Sequence, residues 1–269
     1  MAMKIEYRAA LAAGLLLLVG AGGALAQTDQ VISHSGDTAR GAIKKVTRDA
    51  IEIEERGNTR TIPASQIRAI QFGNEPRELR NGREAALGDK FEAALESLAK
   101  VKADDLARDE MQQDLAFYIA YAKGKLALAG GDRAAAEKEL LDFARNYGDS
   151  YHFYDAAEML GDLAYLSGSY DDAARRYAAI AKSSAPDQQM RGAYLEGKSL
   201  LAKGDPAAAM ARFDQVIANP LNDPAAARVK ALCEVGKARC LIESGNAAEG
   251  VALAQQVIDR NDPKDGYLF

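Results

Sequence analysis

Residues 160–180 read Leu160-Gly161-Asp162-Leu163-Ala164-Tyr165-Leu166-Ser167-Gly168-Ser169-Tyr170-Asp171-Asp172-Ala173-Ala174-Arg175-Arg176-Tyr177-Ala178-Ala179-Ile180, and a polar link then runs to Pro186. Two helical stretches meet at the turn Gly168-Ser169. Past the turn, Ala173, Tyr177 and Ile180 stand at offsets of four and three, which is one face of a helix. Seven positions before the turn is Gly161, where a missing side chain lets two helices approach closely.

The same phrase recurs along the chain. Gly88-Asp89 leads to Ala94, Leu98 and Val101, and Gly131-Asp132 leads to Ala136, Leu140 and Phe143. Gly204-Asp205 leads to Ala209, Phe213 and Val216, and Gly245-Asn246 to Gly250, Ala254 and Val257. Gly82, Gly124, Gly197 and Ala238 hold the small position seven residues earlier. Successive turns are 36 to 42 residues apart. Self-similarity at such a period marks a repeat architecture, in which each helical pair buries its apolar face only by stacking on its neighbours. The stack forms a superhelix with a long concave surface.

These residues resemble the tetratricopeptide repeat, with its Leu-Gly, Ala and aromatic positions. The resemblance covers about 190 residues from Pro76 onward, lacks the Trp of that pattern and has longer links. Tyr147-Gly148-Asp149-Ser150-Tyr151 also looks like periplasmic repeat proteins of the bacterial envelope. The resemblance implies a mainly α, solenoid-like array of about five helical hairpins. It also implies an interaction scaffold without catalytic residues, whose first helices face the concave side.

Residues 29–73 obey a different period. Short apolar clusters (Val31-Ile32, Ala42-Ile43 with Val46, Ile51 and Ile53, Thr61-Ile62, then Ile67, Ile70 and Phe72) alternate with polar residues. They are separated by Ser35-Gly36-Asp37, Arg48-Asp49, Arg56-Gly57-Asn58 and Pro63-Ala64-Ser65. Four or five short strands in a small antiparallel sheet follow, with Gly57-Asn58 as a hairpin turn. A sheet this small must curl to bury one face, so an SH3- or Sm-like barrel is expected. It loosely resembles small β modules ahead of helical repeats in exported bacterial proteins. Its seven basic residues (Arg40, Lys44, Lys45, Arg48, Arg56, Arg60, Arg68) meet seven acidic ones (Asp29, Asp37, Asp49, Glu52, Glu54, Glu55, Glu75). That balance leaves no field for phosphate, and the whole chain carries −5. Nucleic acid is therefore not an expected partner. Gly73-Asn74-Glu75-Pro76 punctuates the change of period, and the two regions are expected to fold separately.

At the N-terminus, Lys4 and Arg8 precede an apolar run from Ala9 to Ala26 that closes on Ala24-Leu25-Ala26. This is the pattern of an export signal, with Gln27 as the mature start. An uncleaved anchor is the alternative, since ~18 apolar residues just span a bilayer. The expected organisation is a signal over residues 1–26, a β domain over 27–75 and a helical repeat domain over 76–269. The segment Lys264-Asp265-Gly266-Tyr267-Leu268-Phe269 reads like a link into another helix, so the array is expected to end incomplete or uncapped.

The sequence offers little chemistry. Gly192-Ala193-Tyr194-Leu195-Glu196-Gly197-Lys198-Ser199 matches the phosphate-loop spacing, but that loop must follow a strand and open a helix. Here Asp187-Gln188-Gln189-Met190-Arg191 precedes it and Ala-Tyr-Leu-Glu favours helix. His34 and His152, the two histidines, read as ordinary polar residues of a loop and a turn. With Cys233 and Cys240 they make no convincing zinc set. The cysteines lie seven apart on one helix, ~10 Å, too far to bridge each other; two buried thiols or a bridge to another chain remain. No catalytic residue, cofactor, metal or small-molecule substrate is expected.

The expected function is thus a non-catalytic scaffold, periplasmic or extracellular, that binds protein or peptide partners in its concave groove. Candidate groove residues recur on one face of each first helix: Tyr118, Tyr121 and Lys125; Asp155, Glu158, Asp162 and Tyr165; Arg191, Tyr194 and Lys198; and Arg239. Tyrosine rings supply contact area and alternating charges set register. The bland alternative has Lys125 and Lys198 pairing with the acidic residues between them, leaving the tyrosines as packing. The rival functions are a membrane-anchored spacer whose β module does the binding and, if the chain is a fragment, an enzyme accessory domain.

Overall fold

A computed structural model describes residues 28–260. The expected export signal and the chain end at Lys264–Phe269 lie outside the described residues. Five strands come first: β1 (Asp29–Ser33), β2 (Thr38–Val46), β3 (Ala50–Glu55), β4 (Asn58–Pro63) and β5 (Ile67–Gln71). They form one antiparallel sheet in the order β4-β3-β2-β1-β5. Alternation selects the buried face: Ile51 and Ile53 on β3 are fully enclosed, with Glu52 between them half-buried, because successive side chains point to opposite faces. The β3–β4 hairpin departs from expectation by one residue. Its turn is Arg56-Gly57, with φ of 51° and 84°, and Asn58 already pairs with Glu55. Two consecutive positive φ values give a turn whose twist matches paired strands.

Ten helices follow among the described residues: α1 (Arg77–Leu87), α2 (Phe91–Leu98), α3 (Asp109–Leu128), α4 (Arg133–Asn146), α5 (Phe153–Leu166), α6 (Tyr170–Ile180), α7 (Pro186–Lys203), α8 (Pro206–Ile217), α9 (Pro224–Glu243) and α10 (Ala247–Arg260). Each helix packs on the one before and the one after it, and α3 also meets α5 and α7 meets α9. The turn glycines Gly168, Gly204 and Gly245 have φ of 76°, 89° and 89°, a region that costs glycine nothing. Asp132 and Asp205 accept the backbone N–H of Ala135 and Ala208 and so cap α4 and α8.

The recurring face is the buried one. Ala136, Leu140 and Phe143 on α4, Ala173, Tyr177 and Ile180 on α6, and Ala209, Phe213 and Val216 on α8 are at most 2% exposed. The outer units depart from this: Val101 lies past the end of α2, and Ala254 on α10 is half-buried. The small positions have a steric cause. A Cβ on Gly161 would lie 2.4 Å from the Tyr177 ring, one on Gly82 2.5 Å from Leu98, and one on Gly197 2.7 Å from Phe213. Gly124 serves a different contact, since its Cβ would meet Met159 of α5 at 2.7 Å.

The expectation of separate folding meets a physical obstacle. Val31, Ile51, Ile53, Ile70 and Phe72 of the sheet belong to the same core cluster as Leu79, Leu98, Phe117, Leu140 and Leu163 of α1–α5. The change of period at Gly73–Pro76 is a change of secondary structure over one shared core. Separating the two regions would bring apolar surface of both into water.

Replacing Gly161 by Ala drives a methyl group into the Tyr177 ring, and overpacking of this kind costs about 1–3 kcal/mol. Urea unfolding of the G161A protein should show a lower midpoint with an unchanged slope. An unchanged midpoint would mean that the ring moves aside freely.

Candidate functional site

A cleft of ≈ 510 Å³ lies where the sheet meets the helices. Helix α3 contributes Tyr118, Tyr121 and Lys125, helix α5 contributes Asp155, Glu158 and Asp162, and α7 contributes Arg191. These seven come from the expected groove set. The rest of the lining carries no spacing signal in the sequence: His34, Ser65, Ile67 and Arg68 of the β module, together with Asp187 and Gln188 at the start of α7 and Ala225, Ala226 and Val229 at the start of α9. The β2–β3 turn ties the β module to the segments that open α5 and α7. Asp49 accepts the Tyr154 hydroxyl at 3.1 Å and the Ser184 N–H at 3.2 Å. Arg48 pairs with Asp149 at 3.1 Å and lies over the Phe153 ring.

Four expected residues lie outside the cleft. Tyr165 meets Tyr170 edge-on with Lys198 above its ring at 4.7 Å. Tyr194 faces Phe213, the packing role that the bland alternative gave the tyrosines. Arg239 pairs along its own helix with Glu243. Within the cleft Tyr118 is 1% exposed, so it offers no ring face, and its hydroxyl has no hydrogen-bond partner.

The charges do not pair as that alternative required. Lys125 lies 5.3 Å from the centroid of the Tyr121 ring and Lys198 over Tyr165, and neither has a carboxylate within ion-pair distance among the described residues. Arg191 instead grips Glu158 through two nitrogens. That hydrogen bond outweighs burial and raises the guanidinium pKa. Asp162 accepts the Tyr177 hydroxyl at 2.6 Å. Asp155 remains largely exposed at the cleft surface.

Beneath the cleft is a buried ionic network, and it corrects the reading of His152 as an ordinary turn residue. Arg83 on α1, 1% exposed, donates Nη2 to Glu75 Oε2 at 2.5 Å and Nε to Asp114 Oδ2 at 2.8 Å. Glu75 also accepts the Phe72 N–H and Arg80 Nε. Asp114 on α3 is wholly buried and accepts the Tyr151 hydroxyl at 2.9 Å, with His152 Nε2 at 3.0 Å from the same oxygen. Burial works against the Asp114 carboxylate, but Arg83 and His152 hold its pKa below the usual carboxylate range. For His152, burial disfavours the imidazolium, yet the Asp114 hydrogen bond and the neighbouring Asp155 raise its pKa. The imidazole lies flat on Phe117 at 3.7 Å, near-parallel. Phe117, Tyr118 and His152 all line the cleft.

The phosphate-loop match lies wholly within α7. There Ser199 donates to the Leu195 carbonyl, and a Cβ on Gly192 would strike Ala181 N at 2.3 Å. No phosphate-cradling loop exists at that segment. Cys233 and Cys240 are free thiols enclosed in α9. Burial pushes the Cys233 thiol up to about 12 and Cys240 up to about 11, which suits packing and leaves no surface thiol for a bridge to another chain. Among the described residues no group of three or more His, Cys, Asp or Glu could hold a metal, and no helix is long and apolar enough to cross a membrane. Comparison with protein-family models, curated proteins and solved structures returns no match.

Arg83→Leu strands two buried carboxylates, and breaking a buried pair in this way costs about 3–5 kcal/mol. Chemical denaturation at neutral pH should show that deficit, and it should shrink at acid pH as the stranded carboxylates protonate. A deficit independent of pH would point to lost packing alone. For His152 the folded pKa is raised, so its stabilisation is present in full below pH ~6.5 and is lost as pH rises through the folded value. Wild-type stability should therefore fall across that rise, and His152→Gln should flatten it.

Proposed function

We propose that this chain is a non-catalytic scaffold that binds a protein or peptide partner in the cleft between its β module and its helices. The observation that carries the reading is the convergence of Tyr121, Lys125, Asp155, Asp162 and Arg191 from three helices onto one cleft with Arg68 of the sheet. The half-buried Tyr121 ring with charges of both signs around it suits an extended peptide: a ring gives area at low entropy cost and charges set register. The sequential packing of helix pairs and the recurring Ala-large-large face support a tetratricopeptide-like solenoid, and the strand order supports a small SH3- or Sm-like module before it. The apolar N-terminal run supports export, with a periplasmic or extracellular site of action and a membrane attachment only if that run stays uncleaved. The reading needs no nucleic acid, cofactor or small-molecule substrate.

A second reading makes the β module the binding domain and the helices a spacer, and it is favoured by the sheet residues that wall the cleft. Site-specific photo-crosslinking separates the two. A photoreactive residue at position 68 and one at position 125 should capture the same partner, while one at Glu137, half-buried on α4 and outside the cleft lining, should not. Capture at 68 alone would favour the β module. Capture at 137 as strongly as at 125 would sink the cleft.

A further inference from the structure

The two nitrogens of His152 face different worlds. Nε2 lies 3.0 Å from Asp114 Oδ1, deep in the ionic network, and Nδ1 points to Asp155 Oδ2 at 3.8 Å. Asp114 is clamped by the Arg83 guanidinium and accepts the Tyr151 hydroxyl, so as an ionised carboxylate it can only accept. Nε2 therefore carries its hydrogen in either protonation state, and the proton that comes and goes belongs to Nδ1. Ring rotation cannot exchange the two roles, because Phe117 stacks on the imidazole at 3.7 Å and Tyr151 at 3.8 Å. Asp155 differs from every other carboxylate near the ring in being exposed, at 62%, on the cleft surface.

We propose that His152 and Asp155 form a pH-operated charge switch in the cleft: a proton on Nδ1 draws the Asp155 carboxylate down onto the imidazolium, and its loss releases that carboxylate to the partner. With the proton on, the pair is neutral overall. With it off, the Nδ1 lone pair faces the carboxylate, their attraction is gone, and the cleft gains one free negative charge. The groups facing the ring are Asp114 and Tyr118 from α3, Tyr151 from the preceding turn and Asp155 from α5, with Arg83 of α1 behind Asp114. Of these only Asp155 can move into solvent. The raised pKa of His152 agrees with this geometry. The released carboxylate is where a lysine or arginine of the partner would engage, so a basic segment should bind better as pH rises. By linkage, such a segment would make Nδ1 harder to protonate. The proposal rests on the cleft being the binding surface.

Histidine NMR on the full chain tests the switch without any partner. His34→Gln removes the other imidazole, so the remaining signals belong to His152. The neutral form should be the tautomer protonated at Nε2. Asp155→Asn, an exposed change whose fold is checked by circular dichroism, should lower the His152 titration midpoint by about 1 pH unit, the low end of the effect of removing a nearby opposite charge. A midpoint unmoved by Asp155→Asn, or a neutral tautomer protonated at Nδ1, would overturn the switch. Either result leaves the cleft reading to the cross-linking experiment, and failed cross-linking would remove the partner while leaving the measured titration intact.

Discussion

Arg83 is the constraint on which the rest of the structure depends. A guanidinium at 1% exposure is tolerable only with its charge and its donors answered. Glu75 and Asp114 do this from two directions, one from the sheet-to-helix link and the other from α3. Because each carboxylate is equally enclosed, none of the three can be removed without stranding another. The sheet's last turn, α1, α3 and the Tyr151-His152 entrance to α5 are thereby held in one geometry. A well-packed apolar replacement of the whole set could match its stability, so the distinctive contribution of the network is orientation.

Orientation is what the cleft requires. The β module touches the helices through a few polar fasteners at its rim, Asp49 with Tyr154 and Ser184, Arg48 with Asp149, and Asp29 with Arg108. Exposed ion pairs such as Arg48–Asp149 contribute at most about 1 kcal/mol each, too little to set an interface alone. The shared core beneath supplies the affinity, and the ionic network sets the angle. The cleft is then a gap between two surfaces that neither would present by itself, and its lining includes an imidazole that also belongs to the network.

The helical part obeys a simpler steric rule. Three of the second helices, α2, α6 and α8, send a large side chain (Leu98, Tyr177 and Phe213) into a notch left by glycine on the partner helix. Gly124 faces Met159 of α5, so the same device also joins one pair to the next. Interiors are packed like crystals, and a notch matched to a ring admits little else. The pattern is looser in α2, which stops short of Val101, and in α10, which leaves Val251 and Ile258 exposed.

The sequence by itself determined the local structure. Alternation marked four or five strands, with the β3–β4 turn placed to within a residue, and the Ala-large-large phrase marked the buried face of α4, α6 and α8, because periods of 2 and 3.6 are written into neighbouring residues. It also brought out seven cleft residues, since one helix face is legible as a spacing. Only the tertiary structure decided which faces meet. Arg68 and Asp187, more than a hundred positions apart, share a cleft because the β module docks at the starts of α5 and α7, and no local pattern records that contact. His152 looked like a turn residue for the same reason. Its burial depends on Asp114, Phe117 and Tyr151 closing around it, and the partner that makes a buried polar group affordable is a matter of three-dimensional neighbours rather than of sequence context.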